Sequence, residues 1–118
     1  MSWTDYPSAP PAGTLVCQGY EVTSVMTCLI ETTAGTFPLL LLRSPMGLRA
    51  YVNACPHQYL PLDYRSQSLL SADGARLMCS AHGAQFDAET GEVLTGAECG
   101  LDAVPVIEVD GLILIGSA

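Results

Sequence analysis

MTCLIETT at residues 26–33, the Ala34-Gly35 pair, FPLLLLR at 37–43, SPMG at 44–47 and LRAYVN at 48–53 form the stretch that decides the fold class. Short apolar or β-branched runs alternate with turn-forming residues, the pattern of antiparallel strands joined by hairpins. The same pattern continues outward. Arg76 to Met78 and Gln85 to Asp87 read as short strands, the second followed by Thr90-Gly91. Val104 to Val109 is joined to Leu112 to Ile115 by Asp110-Gly111, a strong signal for a tight hairpin. No dozen-residue stretch shows a clean 3.6-residue apolar period between caps, although Ser66 to Ala72 is compatible with one helical turn. The predicted class is all-β, a small antiparallel β-sandwich or barrel-like domain. Residues 1–13 carry Pro7, Pro10, Pro11 and Gly13, which favour an extended tail ahead of a domain spanning 14–118. Trp3 and Tyr6 are the residues able to fasten that tail down.

Composition narrows the function. The chain has 118 residues, 49% hydrophobic and 14% charged, which suits one domain with one core and argues against disorder. Four arginines, no lysine and twelve acidic residues give a net charge of −8, which repels a phosphate backbone and disfavours nucleic-acid binding. The aliphatic runs Leu39 to Leu42 and Leu112 to Ile115 are far short of the roughly 18 residues that cross a bilayer, so no membrane span is expected. Met1-Ser2-Trp3-Thr4-Asp5 lacks the basic and apolar regions of a secretory signal, and a cytoplasmic location is expected. An odd count of five cysteines in a reducing compartment points to metal ligation or burial over disulfides. For Cys17 and Cys28, in apolar strand contexts, burial is the expectation. Cys99, in a Gly-flanked loop, reads by default as a plain loop cysteine.

Each of the two histidines lies two or three positions after a cysteine. The boxes are Cys55-Pro56-His57, after the strand ending Tyr51-Val52-Asn53, and Cys79-Ser80-Ala81-His82-Gly83, after Arg76-Leu77-Met78. Two thiolates and two imidazoles suit zinc, copper or an iron–sulfur centre, so the residue list alone leaves the metal open. Cys55 and His57 have one residue between them, closer than the pairs that converge on one structural zinc. In an extended loop such a pair sends both side chains to one side with their tips apart, which fits two metal ions better than one.

C-x-H followed by C-x-x-H, with 21 residues between His57 and Cys79, resembles the Rieske [2Fe–2S] family. The likeness extends to Pro61-Leu62, Gly83, Phe86-Asp87, Thr90-Gly91 and the closing Val106 to Ile115 hairpin. It implies a Rieske fold whose cluster-binding subdomain is formed by two hairpin loops, at about 54–63 and 78–87. It also implies that Cys55 and Cys79 hold one iron of a single [2Fe–2S] cluster and His57 and His82 the other. The chain departs from the family pattern at Tyr59, at Ser80-Ala81 in place of the common Pro-Trp or Pro-Tyr, at Ala97, and in a long insert between the boxes. Leu60 and Ala81 stand where respiratory members carry disulfide cysteines, and Ala84 and Phe86 where those members carry hydroxyls directed at cluster sulfur. The resemblance therefore implies a low potential, toward the roughly −150 mV end of the Rieske range.

The function so implied is a soluble ferredoxin-type carrier of single electrons from a flavoprotein reductase to a terminal enzyme such as a ring-hydroxylating oxygenase. The chain has no dinucleotide fingerprint or spare facial-triad histidines, so it reads as a component and not a complete enzyme. The alternative is a small Rieske-like subunit of a larger oxidoreductase, as in assimilatory nitrite reductase, toward which a mean hydropathy of +0.33 leans. A zinc or redox-sensing module is a third, and it would be colourless. Gly83 is expected to offer its N–H to cluster sulfur, and Tyr59 and Leu60 to cover one side of the cluster from water. Arg65 and Arg76 are expected to solvate the insert.

Overall fold

A computed structural model describes residues 3–56, 60–66, 68–81 and 83–116. Nine strands lie among these residues: β1 (Leu15–Gln18), β2 (Val25–Thr32), β3 (Gly35–Ser44), β4 (Gly47–Val52), β5 (Arg76–Met78), β6 (Gln85–Asp87), β7 (Val93–Thr95), β8 (Val106–Val109) and β9 (Leu112–Ile115). They pair antiparallel in three sheets of three, ordered β2-β3-β4, β5-β6-β7 and β1-β9-β8. The all-β antiparallel class read from the sequence is the class observed. Among the described residues no helix is long and apolar enough to cross a membrane.

The four-leucine run in β3 explains the architecture. Leu39, Leu40, Leu41 and Leu42 are all fully buried, which an amphipathic strand with one wet face cannot achieve. Successive side chains point to opposite faces of a sheet, so the run feeds two cores. Leu40 and Leu42 pack with Tyr51, Leu77, Phe86, Cys55 and Cys79 on one side. Leu39 and Leu41 pack with Phe37, Val52, Ile113 and Ile115 on the other. The β2-β3-β4 sheet is thus a partition, with β5-β6-β7 covering one face and β1-β9-β8 the other. Trp3 is buried on the second side, edge-on to Phe37 with ring centroids 6.3 Å apart, and Tyr6 meets the same ring at 5.9 Å. The half-buried Cys17 and Cys28 also line that core, where burial pushes the Cys28 thiol up to about 11 and keeps it protonated.

Local chemistry sets the boundaries. Asp110 and Gly111 take φ of +51° and +80°, the left-handed pair that a two-residue hairpin needs. The last hairpin begins at Val106 and not at Val104. Pro105 has no N–H for a ladder, and residues 102–104 run beside β4 instead, with Val104 N–H donating to Ala50 O and Val52 N–H to Asp102 O, each at 2.9 Å. The Ser66 to Ala72 stretch carries no helical turn in its described part. Leu70 bridges to Leu77, and Ser71 and Asp73 direct a tight turn in which Asp73 Oδ1 accepts from Ala75 N–H. The β7 strand was not anticipated, because a three-residue Val-Leu-Thr segment with two exposed positions carries no period.

The core that contains Cys55 and Cys79 is pinned by Tyr51, whose buried hydroxyl donates to Ala88 O at 2.8 Å. Burial pushes this phenol up to about 12, from 10 in the unfolded chain. Its share of stability is therefore complete below pH 10 and lost as pH rises through 12. Urea unfolding of Tyr51→Phe is expected to show a loss of about 1 kcal/mol at neutral pH. The wild-type advantage should shrink between pH 10 and 12; a constant difference across that range would contradict the assignment.

Candidate metal centre

The first box leaves the partition sheet at the end of β4. Asn53 continues the ladder by donating its backbone N–H to Pro38 O, and it is the buried polar residue among those described, 6% exposed. Both ends of its side chain are engaged: Oδ1 accepts from Leu62 N–H at 2.8 Å, and Nδ2 donates to Asp63 Oδ1 at 3.0 Å. Thr27 Oγ1 donates to Asp63 Oδ2 at 2.9 Å, which ties the far end of the loop back to β2. Inside this mouth Cys55 N–H donates to Leu60 O at 2.7 Å. The 53–62 loop is thus closed twice, and Cys55 is buried at its base with 1% exposure.

The second box leaves the end of β5. Cys79 N–H donates to Ala84 O, and Gly83 N–H donates to Cys79 O, both at 2.8 Å, forming a tight loop with Cys79 buried at 1% exposure. The Gly83 N–H, expected to face cluster sulfur, lies against the carbonyl of Cys79 itself. Gly96 packs directly beneath the loop. A Cβ there would lie 2.8 Å from Ala84 Cα, and φ is +86°, so glycine is required on both counts. Ala84 and Phe86, both fully buried, line the base of the loop with no side-chain donor.

The two loops are joined through one residue of each. Leu62 O accepts from Ser80 N–H at 2.8 Å and from Ser80 Oγ at 2.6 Å. Ser80 Oγ in turn accepts from Arg65 N–H at 2.9 Å and Ser66 N–H at 3.2 Å. None of the five cysteines is in a disulfide.

Cys55 and Cys79 therefore enter one apolar cluster, with Tyr51, Leu62, Leu77, Ala84 and Phe86 around them. Two thiols at neighbouring loop bases, shielded from water by apolar side chains, fit the sulfur half of a mixed S/N donor set. His57, His82 and Tyr59 lie outside the described residues. Leu60 is half-buried, as is Ala81, which packs against the same cluster. Cys99 is exposed and lines a shallow cavity of about 490 Å³ with Thr90, Glu92 and Asp102. Arg76 Nη1 reaches Gln85 Oε1 at 3.3 Å, whereas Arg65 contributes its backbone N–H to the loop junction. Arg43 and Arg49 are engaged by Glu108 and Glu89, which leaves the acidic surplus of the chain dominant.

Asn53, Asp63, Thr27, Ser80 and Gly96 were not singled out from the sequence as site supports. Asn53, directly after a strand and two residues before Cys55, and Ser80, inside the second box, are the two whose positions carry a signal.

Comparison with known proteins places this geometry. Residues 14–105 match the Rieske [2Fe–2S] domain family. The ferredoxin component of the alkene monooxygenase system of Xanthobacter autotrophicus is 34% identical over 83 residues, covering 70% of this chain and 65% of that relative. The match thus spans slightly less than two thirds of the relative's length. Among solved structures, apo dicamba monooxygenase superposes with a TM-score of 0.67 at 26% identity, over 91% of this chain and 33% of the other. The ferredoxin of carbazole 1,9a-dioxygenase from Nocardioides aromaticivorans gives 0.71 at 17% identity, over 92% of this chain and 100% of that one, a likeness of fold.

Replacing Asn53 by alanine strands the buried Leu62 N–H and is expected to cost about 2 kcal/mol of unfolding free energy. Asn53→Asp keeps the acceptor for Leu62 but sets a carboxylate against Asp63, so its loss should shrink as pH falls and the pair protonates. Equal losses for both variants at every pH would contradict this role.

Proposed function

Because the chain belongs to the Rieske [2Fe–2S] domain family, we propose that it is a ferredoxin-type carrier acting in the cytoplasm, an electron-transfer component and not itself the oxygenase. In this reading residues 14–118 form the cluster domain and residues 1–13 its N-terminal extension. Cys55 and Cys79 hold one iron, and His57 and His82 the other. When bound, such a cluster supplies reversible one-electron chemistry at a potential raised by its neutral nitrogen ligands relative to an all-cysteine site. The chain's own part is to hold the sulfur donors in an apolar setting and to keep the ligand loops closed. The observation that carries the reading is the burial of Cys55 and Cys79 in one cluster, at the bases of two hydrogen-bonded loops.

Ala84 and Phe86 offer no hydroxyl to cluster sulfur, and a net charge of −8 disfavours adding an electron, which together support a low potential. The partners of this reading are a flavoprotein reductase and a terminal oxygenase or reductase. The oxygenase class is supported by the alkene monooxygenase ferredoxin component among the relatives. An acidic carrier is steered onto a basic partner face, with an on-rate that falls as salt rises.

The second reading, a fixed small subunit of a larger oxidoreductase, draws on the outer face of β1-β9-β8. Leu15, Ile107, Val109 and Leu112 are all exposed there, at 57%, 49%, 45% and 38%. A subunit would bury that face in a stable complex. Light scattering of the purified chain decides between them: a 12.4 kDa monomer supports the carrier, and a persistent co-purifying partner supports the subunit.

Reconstitution with an oxygenase-system flavoprotein reductase and NADH is expected to reduce the visible chromophore at a rate that falls several-fold between low and moderate ionic strength. No reduction by any such reductase, with intact chromophore, would overturn the carrier role. Changing either imidazole to a thiol, by His57→Cys or His82→Cys, should lower the midpoint potential and the yield of folded protein. Unchanged potential and spectrum would remove that histidine from the ligand set.

A further inference from the structure

Ser80 occupies an unusual position in the hydrogen-bond pattern of the two loops. A serine hydroxyl has one donor and two acceptor sites, and here all three are used: it donates to Leu62 O and accepts from Arg65 N–H and Ser66 N–H. The Leu62 carbonyl has two lone pairs, and Ser80 takes both, one through its hydroxyl and one through its backbone N–H. The Leu62 N–H is held in turn by the buried Asn53 side chain. The backbone of one residue, Leu62, thus connects the base of the first loop, the residue after Cys79, and, through Ser80, the first residues of the long insert. A proline at position 80 would forfeit both the N–H and the hydroxyl, and no disulfide spans the loops to replace them.

We infer that Ser80 is a positioning residue for the metal centre: its saturated hydroxyl, clasped to the Leu62 carbonyl, fixes the spacing of the loop that carries Cys79 from the loop that carries Cys55. The inference rests on the cluster-binding reading and deepens it by assigning the cross-link between loops to a side chain that is itself no ligand. The contacts are local to the loops. Leu62 belongs to the core on the cysteine side, and the second core, around Phe37, Leu39 and Ile113, includes neither Leu62 nor Ser80. Loss of the hydroxyl should therefore loosen the site far more than the fold.

The test compares wild type, Ser80→Ala and Ser80→Thr as holoprotein. Bleaching of the visible bands by a chelator should be about tenfold faster in Ser80→Ala, the size expected when the three hydrogen bonds of the hydroxyl are lost and water replaces part of them. Its reduced-state electron paramagnetic resonance lines should be broader, because loop spacing becomes distributed. Ser80→Thr, which keeps the hydroxyl, should restore both. A merely structural serine would lower the melting temperature without changing linewidth or bleaching rate. That outcome, or an alanine variant identical to wild type, or a threonine variant that behaves like alanine, overturns the inference. Amide hydrogen exchange on the wild-type chain gives a check that needs no variant: slow exchange at Ser80, Arg65 and Ser66 is expected, and rapid exchange at these three amides overturns it. Wild-type protein lacking the [2Fe–2S] signal while those amides remain protected would instead count against the cluster reading and leave the clasp standing.

Discussion

Two loops far apart in sequence have to meet at a fixed separation, and the backbone of Leu62 is where they do. Its N–H is taken by Asn53 at the end of β4 and its carbonyl by Ser80 just beyond β5. A carbonyl with both lone pairs used and an N–H held by a buried side chain leave the backbone little freedom to shift. Buried polar groups are costly unless satisfied, and the described residues contain no buried side-chain nitrogen or oxygen without a partner. The site is therefore specified by polar closure around an apolar interior.

That closure depends on the partition formed by β3. With leucines facing alternately into two cores, the β2-β3-β4 sheet holds the terminal hairpin and N-terminal segment on one side and the cysteine loops on the other. Tyr51 lies on the cysteine side of β4 and Val52 on the opposite side, so a one-residue slip would exchange their faces. Register in β4 is fixed by this double burial, and it sets where Asn53 and Cys55 emerge. The Arg43–Glu108 pair at 2.9 Å links β3 to β8 across the surface, where both side chains are about one third exposed and contribute little to stability.

Much of this was legible from residues alone. The strand runs from Met26 to Asn53, the Asp110-Gly111 hairpin and the two Cys/His boxes were visible because alternation, turn glycines and ligand spacing are local signals. The residues that support the boxes were not. Asn53, Asp63 and Thr27 are separated by up to 36 positions, and nothing in a linear pattern pairs a threonine in one strand with an aspartate after a loop. Ser80 was visible as a departure from the family pattern, but its role appears only when Leu62 lies opposite it. Val104 was misplaced because an apolar run across Pro105 reads as one strand, whereas the missing N–H divides it. The two histidines lie outside the described residues, so their part rests on motif and family.

The central claim is an unsymmetrical diiron unit with sulfur ligands on one side and nitrogen on the other. Pulsed electron paramagnetic resonance of the dithionite-reduced protein, read with its iron and acid-labile sulfide content, tests this most directly. The account predicts about two irons and two sulfides per chain and hyperfine couplings from two imidazole nitrogens. A single zinc ion, or a cluster with no nitrogen coupling, would contradict it.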